Sequence, residues 1–313
     1  PAPYRGGVVV ELVRQRVANG VRSVLAAPSP PPPLAVETPG DPGLFGPDSA
    51  TWQVHADISM LVGGIRALLL QSLHPLAMAG VAEHSDYRRD PLGRLQRTGR
   101  FLGETTFGSV ATAEAAIDQV RSIHDRVKGV AADGRPYSAN DPHLLGWIHV
   151  TEVDSFRAAH QRYGARPLDA DTADRYVAEM AEVALRLGAR NLPHDTSELR
   201  AAIDAYRPEL ETTAACRDAT RFLLAPPLPV RSRPGYAVLL GAAVGLLPGW
   251  ARGLLRLPLA PGIEPLVLRP PAMVLVRTLG WALGPSPALA SARARAEATH
   301  SKVAEQERSH ADR

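Results

Sequence analysis

The sequence predicts an all-α fold, and three observations predict it. Apolar residues recur at helical spacing along most of the chain. Strand-like alternation is nearly absent, and alanine, the best helix former, is abundant. Hydrophobic residues are 45% and charged residues 21% of the 313, so the chain can bury a sizeable core.

The elements follow in order. A first helix is expected over 8–26, then an extended spacer at Pro28 and Pro30–Pro33. A long helix follows over 48–73, with Asp48 as its N-cap. Pro75 should break it, leaving a shorter helix over 76–83 and a polar turn over 84–90. Asp90-Pro91 reads as a cap followed by a proline in the first turn, opening a helix to about 106. Thr112 should cap the next, over 113–129. Residues 133–140 contain Asp133-Gly134 and read as a turn or small hairpin. Asp141-Pro142 starts a helix to about 163, and further helices are expected at 171–188, 196–206 and 212–224. The last hundred residues read as short apolar helices chopped by prolines, ending in a charged tail. The partition expected is an N-terminal helix and spacer (1–47), one all-α domain (48–290) and a tail (291–313).

Composition narrows the function classes. The single cysteine, Cys216, excludes a disulfide framework and cysteine-built zinc or iron–sulfur sites. A net charge of +3 with 5% aromatics is a poor footprint for nucleic acid. Val8–Val10 is too short an apolar run for a secretory leader, so a cytoplasmic location is expected. The longest uncharged stretch, 235–251, falls short of the roughly 20 residues of a spanning helix and contains Pro248. A buried helix or a membrane-touching hairpin is expected there, which leaves peripheral membrane contact open. Oligomeric state is not legible.

Several residues are candidates for chemistry. His124 shares a helix face with Ile117, Val120 and Val127. It reads either as a core histidine bonded to a backbone carbonyl or as an axial ligand to a haem iron. Arg94, Arg97, Thr98 and Phe101 share one face of the preceding helix. They read either as a solvated basic edge, with Arg100, or as a pocket for an anion or an oxygen ligand. His74, Glu83, His84 and Asp86 surround a helix break; Glu83 would serve as a general base if buried, and otherwise as a surface carboxylate. His149 shares a face with Val153 and is expected to point inward. No dinucleotide fingerprint, P-loop, nucleophile elbow or H-E-x-x-H is present. The pairs Glu297/His300 and Glu307/His310 share one tail and do not make a di-iron bundle. The doublet His124-Asp125, with His84, leaves a metal-dependent helical phosphohydrolase as an alternative.

Four segments carry a resemblance. They are GIRALLLQSLHPLAMAGVAEHSD (64–86), GRLQRTGRFLGETTFGS (93–109), VRSIHDRVKG (120–129) and WIHVTEVDSF (147–156). In this order they resemble the family of the rubber oxygenases, called latex clearing proteins, and the fungal oxygenases of mycophenolic acid biosynthesis. The resemblance covers about 48–191. It implies an all-α domain with a haem-sized internal pocket holding haem b (iron). It also implies an oxygenase acting with dioxygen on a small hydrophobic substrate, with alkenes among the candidates. His124 resembles the family's proximal iron ligand, and Arg94, Arg97 and Thr98 resemble its distal residues. Glu83 resembles a distal glutamate. Arg97 departs from the lysine of the rubber enzymes; a guanidinium stays protonated and does not ligate iron. A non-catalytic haem-binding protein is the remaining alternative.

Overall fold

The computed structural model describes residues 40–257 and 267–297, together with Glu11, Arg14–Arg16 and Ala18. Most of the expected first helix, the proline spacer, Pro258, Pro261, Pro265 and the tail beyond 297, with His300, Glu307 and His310, lie outside the described residues.

Helices dominate. The expected helix over 48–73 is two, α1 (Ala50–His55) and α2 (Met60–Gln71). Its cap is Ser49 rather than Asp48, with Ser49 Oγ accepting from Trp52 N at 3.1 Å. The break between them is built on Asp57. One carboxylate oxygen accepts from Ser59 N at 2.8 Å, and the other accepts from the distant Ala165 N at 2.9 Å. Such a side-chain-to-backbone bond competes with helix continuation.

Pro75 does interrupt the chain, but as the first residue of α3 (Pro75–His84), which bends 107° away from α2. Helix α4 (Pro91–Phe107) starts as expected, with Asp90 accepting from Gly93 N at 2.8 Å. Helix α5 (Val110–His124) starts earlier than expected, because Ser109 rather than Thr112 caps it. It also ends earlier. Residues Lys128–Val130 form β1, paired antiparallel with β2 (Pro136–Ser138) in the register Lys128↔Ser138, Gly129↔Tyr137, Val130↔Pro136. Gly134 supplies the positive φ (86°) that the connecting turn needs.

Helix α6 (Pro142–Tyr163) is capped by Asp141 and α7 (Ala170–Leu187) by Asp169; Gly188, at φ 110°, closes α7. Helices α8 (Thr196–Tyr206), α9 (Ala214–Leu224), α10 (Arg233–Leu246), α11 (Gly249–Leu255) and α12 (Arg269–Leu283) follow.

Helix α6 is the spine of the core. Trp147, Val150, Val153 and Phe156 pack with Leu69 and Leu70 of α2, with Leu73 just beyond it, and with Tyr176 and Val177 of α7. Gly63 lets α2 close on α6, since a Cβ there would stand 2.7 Å from the Phe156 ring. Below it lies a buried arginine. Arg66 donates to Asp154 Oδ2 (2.7 Å), Ser155 Oγ (2.7 Å) and Leu246 O (3.0 Å), so its charge is paired and its N–H groups are used. Burial would raise the Asp154 carboxyl, but Arg66 and Arg157 hold it below its ordinary value.

The stretch 235–251 is a bent pair, α10 and α11, at 120°. Ala242 and Ala243 are buried against Val62, Ala159 and Ala272. Among the described residues, no single helix is long and apolar enough to cross a membrane. The chain from 287 to 297 is helical. Leu289 and Ala292 pack on Trp52 and Phe107. Arg295 donates to Asp41 O (2.6 Å) and Phe107 O (2.8 Å), so the described part of the expected tail packs on the domain.

Candidate functional site

One corner of the fold gathers the ends of α3, α4 and α5 with the hairpin. It follows from the chain path. Only Gly108 and Ser109 separate α4 from α5, so α5 doubles back along α4 and carries His124 toward the N-terminal half of α4.

His124 is the last residue of α5 and is half-buried rather than fully inward. Its Nδ1 is buried and has no hydrogen-bond partner. Burial lowers its pKa, only partly offset by Asp125, so the ring is a neutral imidazole with a lone pair at neutral pH. Asp125 turns away: it is exposed and accepts from Asn140 Nδ2 at 2.7 Å. Two residues on, Val127 O accepts from Ala139 N at 2.8 Å and ties the helix end to the hairpin.

The hairpin delivers Tyr137, which is buried. A Cβ on Gly129 would stand 2.6 Å from its hydroxyl, and one on Gly80 of α3 would stand 3.5 Å from its ring. Gly129 is therefore required by the position of this ring, whereas at Gly80 a Cβ would make only ordinary contact. Its hydroxyl donates to Glu83 in a short bond and lies 3.2 Å from His84 Nε2. Burial first, then the Glu83 carboxylate, push the phenol up to about 12. Glu83 is exposed, so the burial that would make it a general base is absent.

On α4, Arg94 is partly buried and donates to Ser85 Oγ, the residue that ends α3, in a short bond. Burial, then Arg97, lower its pKa, and it remains a cation. Arg97 and Thr98 are exposed. Arg97 Nη1 sits 3.3 Å from Asp90 Oδ2. Leu92, Leu95 and Ile123 expose 37%, 48% and 44% of their surface, giving this end of the α4–α5 pair an apolar rim. The structure thus links Glu83 and Arg94 to the end of α3, through Tyr137 and Ser85. None of the described contacts joins His124 directly to Arg94, Arg97 or Thr98.

Sequence reading missed Tyr137 and Ser85. The period-two burial of β2 was the only signal for Tyr137, and three residues are too few to show it. His149 is buried as expected, with Nε2 unpartnered and a pKa lowered to about 4 by burial. One turn on, Glu152 is pushed up to about 7 by burial. A second polar cluster fixes the core beside α1: His55 bonds Thr106 Oγ1 (2.8 Å) and Tyr176 OH (3.1 Å). Among the described residues, His124, Asp125 and His84 do not come together at metal-ligand spacing. Among the described residues, the group with metal-ligand spacing is instead His74, His143 and Glu209.

The described residues form an all-α domain in which His124 keeps a buried ring nitrogen without a hydrogen-bond partner. Residues 52–284 match the family model described as ER-bound oxygenase mpaB/B'/Rubber oxygenase, catalytic domain. The chain belongs to this family, and is therefore an oxygenase-type domain, an oxidoreductase. The comparisons with curated proteins and with solved structures found no match.

Proposed function

We propose that the chain is a haem b-dependent oxygenase acting with dioxygen on a small hydrophobic substrate, with an alkene as the apt class. The observation that carries this is His124: a neutral imidazole whose buried Nδ1 has no partner, at an apolar-rimmed corner, in a chain of this family. The residues fit the group. The unpaired His124 imidazole would hold the iron, Leu92, Leu95 and Ile123 would offer apolar surface to the macrocycle, and the arginines would suit its carboxylates. When bound, the haem iron supplies the activation of dioxygen.

The chain's own residues do the rest. His124 would hold the iron. Arg94, steadied by Ser85, would pair with a propionate or balance negative charge near the reacting atoms. The exposed Thr98 hydroxyl would be a hydrogen-bond donor to the co-substrate dioxygen. Arg97, where the rubber enzymes carry lysine, would supply positive charge, since a guanidinium is a poor iron ligand. Glu83 is the corner's carboxylate and accepts from the Tyr137 hydroxyl. Peripheral membrane contact through exposed Val267, Val274 and Trp281 suits the same substrate class.

The test is oxygen uptake by haem-loaded protein with a panel of apolar alkenes under isotopically labelled dioxygen. Substrate-dependent uptake with label in the product is expected. Haem-loaded protein that consumes no oxygen across the panel and labels no product contradicts the oxygenase reading.

A further inference from the structure

The group His74, His143 and Glu209 belongs to none of the machinery above. It joins three separate segments. His74 sits at the α2–α3 break, His143 in the first turn of α6, and Glu209 at the end of a short 3-10 turn, Arg207–Glu209. One ligand atom from each lies within 4.8 Å of the other two. His74 Nε2 stands 3.4 Å from Glu209 Oε2, and His143 Nε2 stands 2.8 Å from the same oxygen. Two ligands on tetrahedral corners about 2.05 Å from zinc are roughly 3.3 Å apart. The pocket is therefore close to the size of the ion.

A second observation points the same way. The His74 side chain is 1% exposed, and its Nε2 is a buried atom without a hydrogen-bond partner of good geometry. It faces the Glu209 carboxylate. Packing holds the ring: Trp147 and Tyr206 lie 6.2 and 6.3 Å away, centroid to centroid. Tyr206 also stacks on His143 at 4.6 Å and donates to His143 O at 2.8 Å, fixing the second imidazole. His143 and Glu209 are half open to solvent, at 52% and 39% exposure, so a fourth position is accessible to water.

We propose that His74, His143 and Glu209 bind one divalent transition-metal ion, of which zinc is the best match, and that the ion staples α3, α6 and the 207–209 turn. Two imidazole nitrogens and one carboxylate oxygen suit zinc and disfavour magnesium or calcium. Binding places the His74 proton on Nδ1 and gives up the long contact from Ala77 N to that nitrogen, 3.5 Å.

The test is calorimetric titration of tag-free, chelator-stripped full-length protein with zinc chloride, with magnesium chloride as control. One zinc per chain is expected, with magnesium silent. The exposed-partner variants His143→Ala and Glu209→Gln should each weaken zinc binding at least tenfold, while His194→Ala, an exposed histidine outside the group, leaves it unchanged. Zinc should raise the thermal midpoint of the parent and not that of the two variants. Absence of zinc binding, or equal binding by parent, His143→Ala and Glu209→Gln, overturns the proposal. The readout does not involve haem, so the oxygenase reading stands or falls separately.

Discussion

A buried ring nitrogen without a partner forfeits a hydrogen bond it would have had in water. His124 carries that cost at Nδ1, whereas His55 satisfies both nitrogens. His149 carries the same cost at Nε2, so it is the place of His124 at the apolar-rimmed end of the α4–α5 pair that marks it as the ligand candidate. Arg94 stands one step behind. Its bond to Ser85 orients a cation that has no carboxylate in ion-pair contact among the described residues. Arg94→Ala should weaken haem retention about tenfold or more, on the scale of one charge-assisted hydrogen bond. Competition of haem-loaded protein with apomyoglobin measures it. At this scale the sequence told residue types and faces, since His124, Arg94 and Arg97 do sit near one end of the α4–α5 pair. It did not tell depth: Arg97, Thr98 and Glu83 are exposed, and exposure depends on what α3 and the hairpin cover.

At the scale of elements, caps decide most boundaries. Asp90-Pro91 and Asp141-Pro142 were legible, because a carboxylate acceptor followed by a residue with no N–H leaves one way to start a helix. Two boundaries were not. Ser109 and Thr112 are both good caps, and which one takes the role depends on where Phe107 is buried. The break at 56–59 rests on Asp57 reaching Ala165, a contact 108 residues away that no local pattern records. The α2–α6 crossing supplies a prediction. Gly63→Ala would drive a Cβ to 2.7 Å from the Phe156 ring and 3.1 Å from its Cα. Relief requires the helices to part, so we expect a loss of about 1–3 kcal/mol, read by urea unfolding. Ser109→Ala should cost about 1 kcal/mol through loss of the α5 cap, with the same readout.

For the whole molecule, buried histidines set the acid response. His55 and His149 are lowered to about 3 and about 4, chiefly by burial. Below the ordinary value of 6.5 the unfolded chain takes up protons at these sites and the folded chain does not. Stability therefore falls as pH drops from about 6.5 toward 4. Glu152 works the other way, since its folded value of about 7 favours the native state below that pH. Two groups outweigh one, so denaturant midpoints should fall between pH 6.5 and 4.5. His149→Gln should flatten the fall, and an unchanged slope contradicts this assignment. The all-α class was plain from periodicity because α6 and its neighbours bury continuous faces. The reaction was not, because a fold of this kind specifies a pocket rather than a substrate.

The central claim is that His124 binds haem iron. The direct measurement is the absorption spectrum of haemin-reconstituted parent and His124→Ala protein, with circular dichroism to verify that both are folded. The account predicts a Soret band in the parent that shifts on reduction and with carbon monoxide, and its loss in the helical, folded variant. An identical band in His124→Ala protein would contradict it.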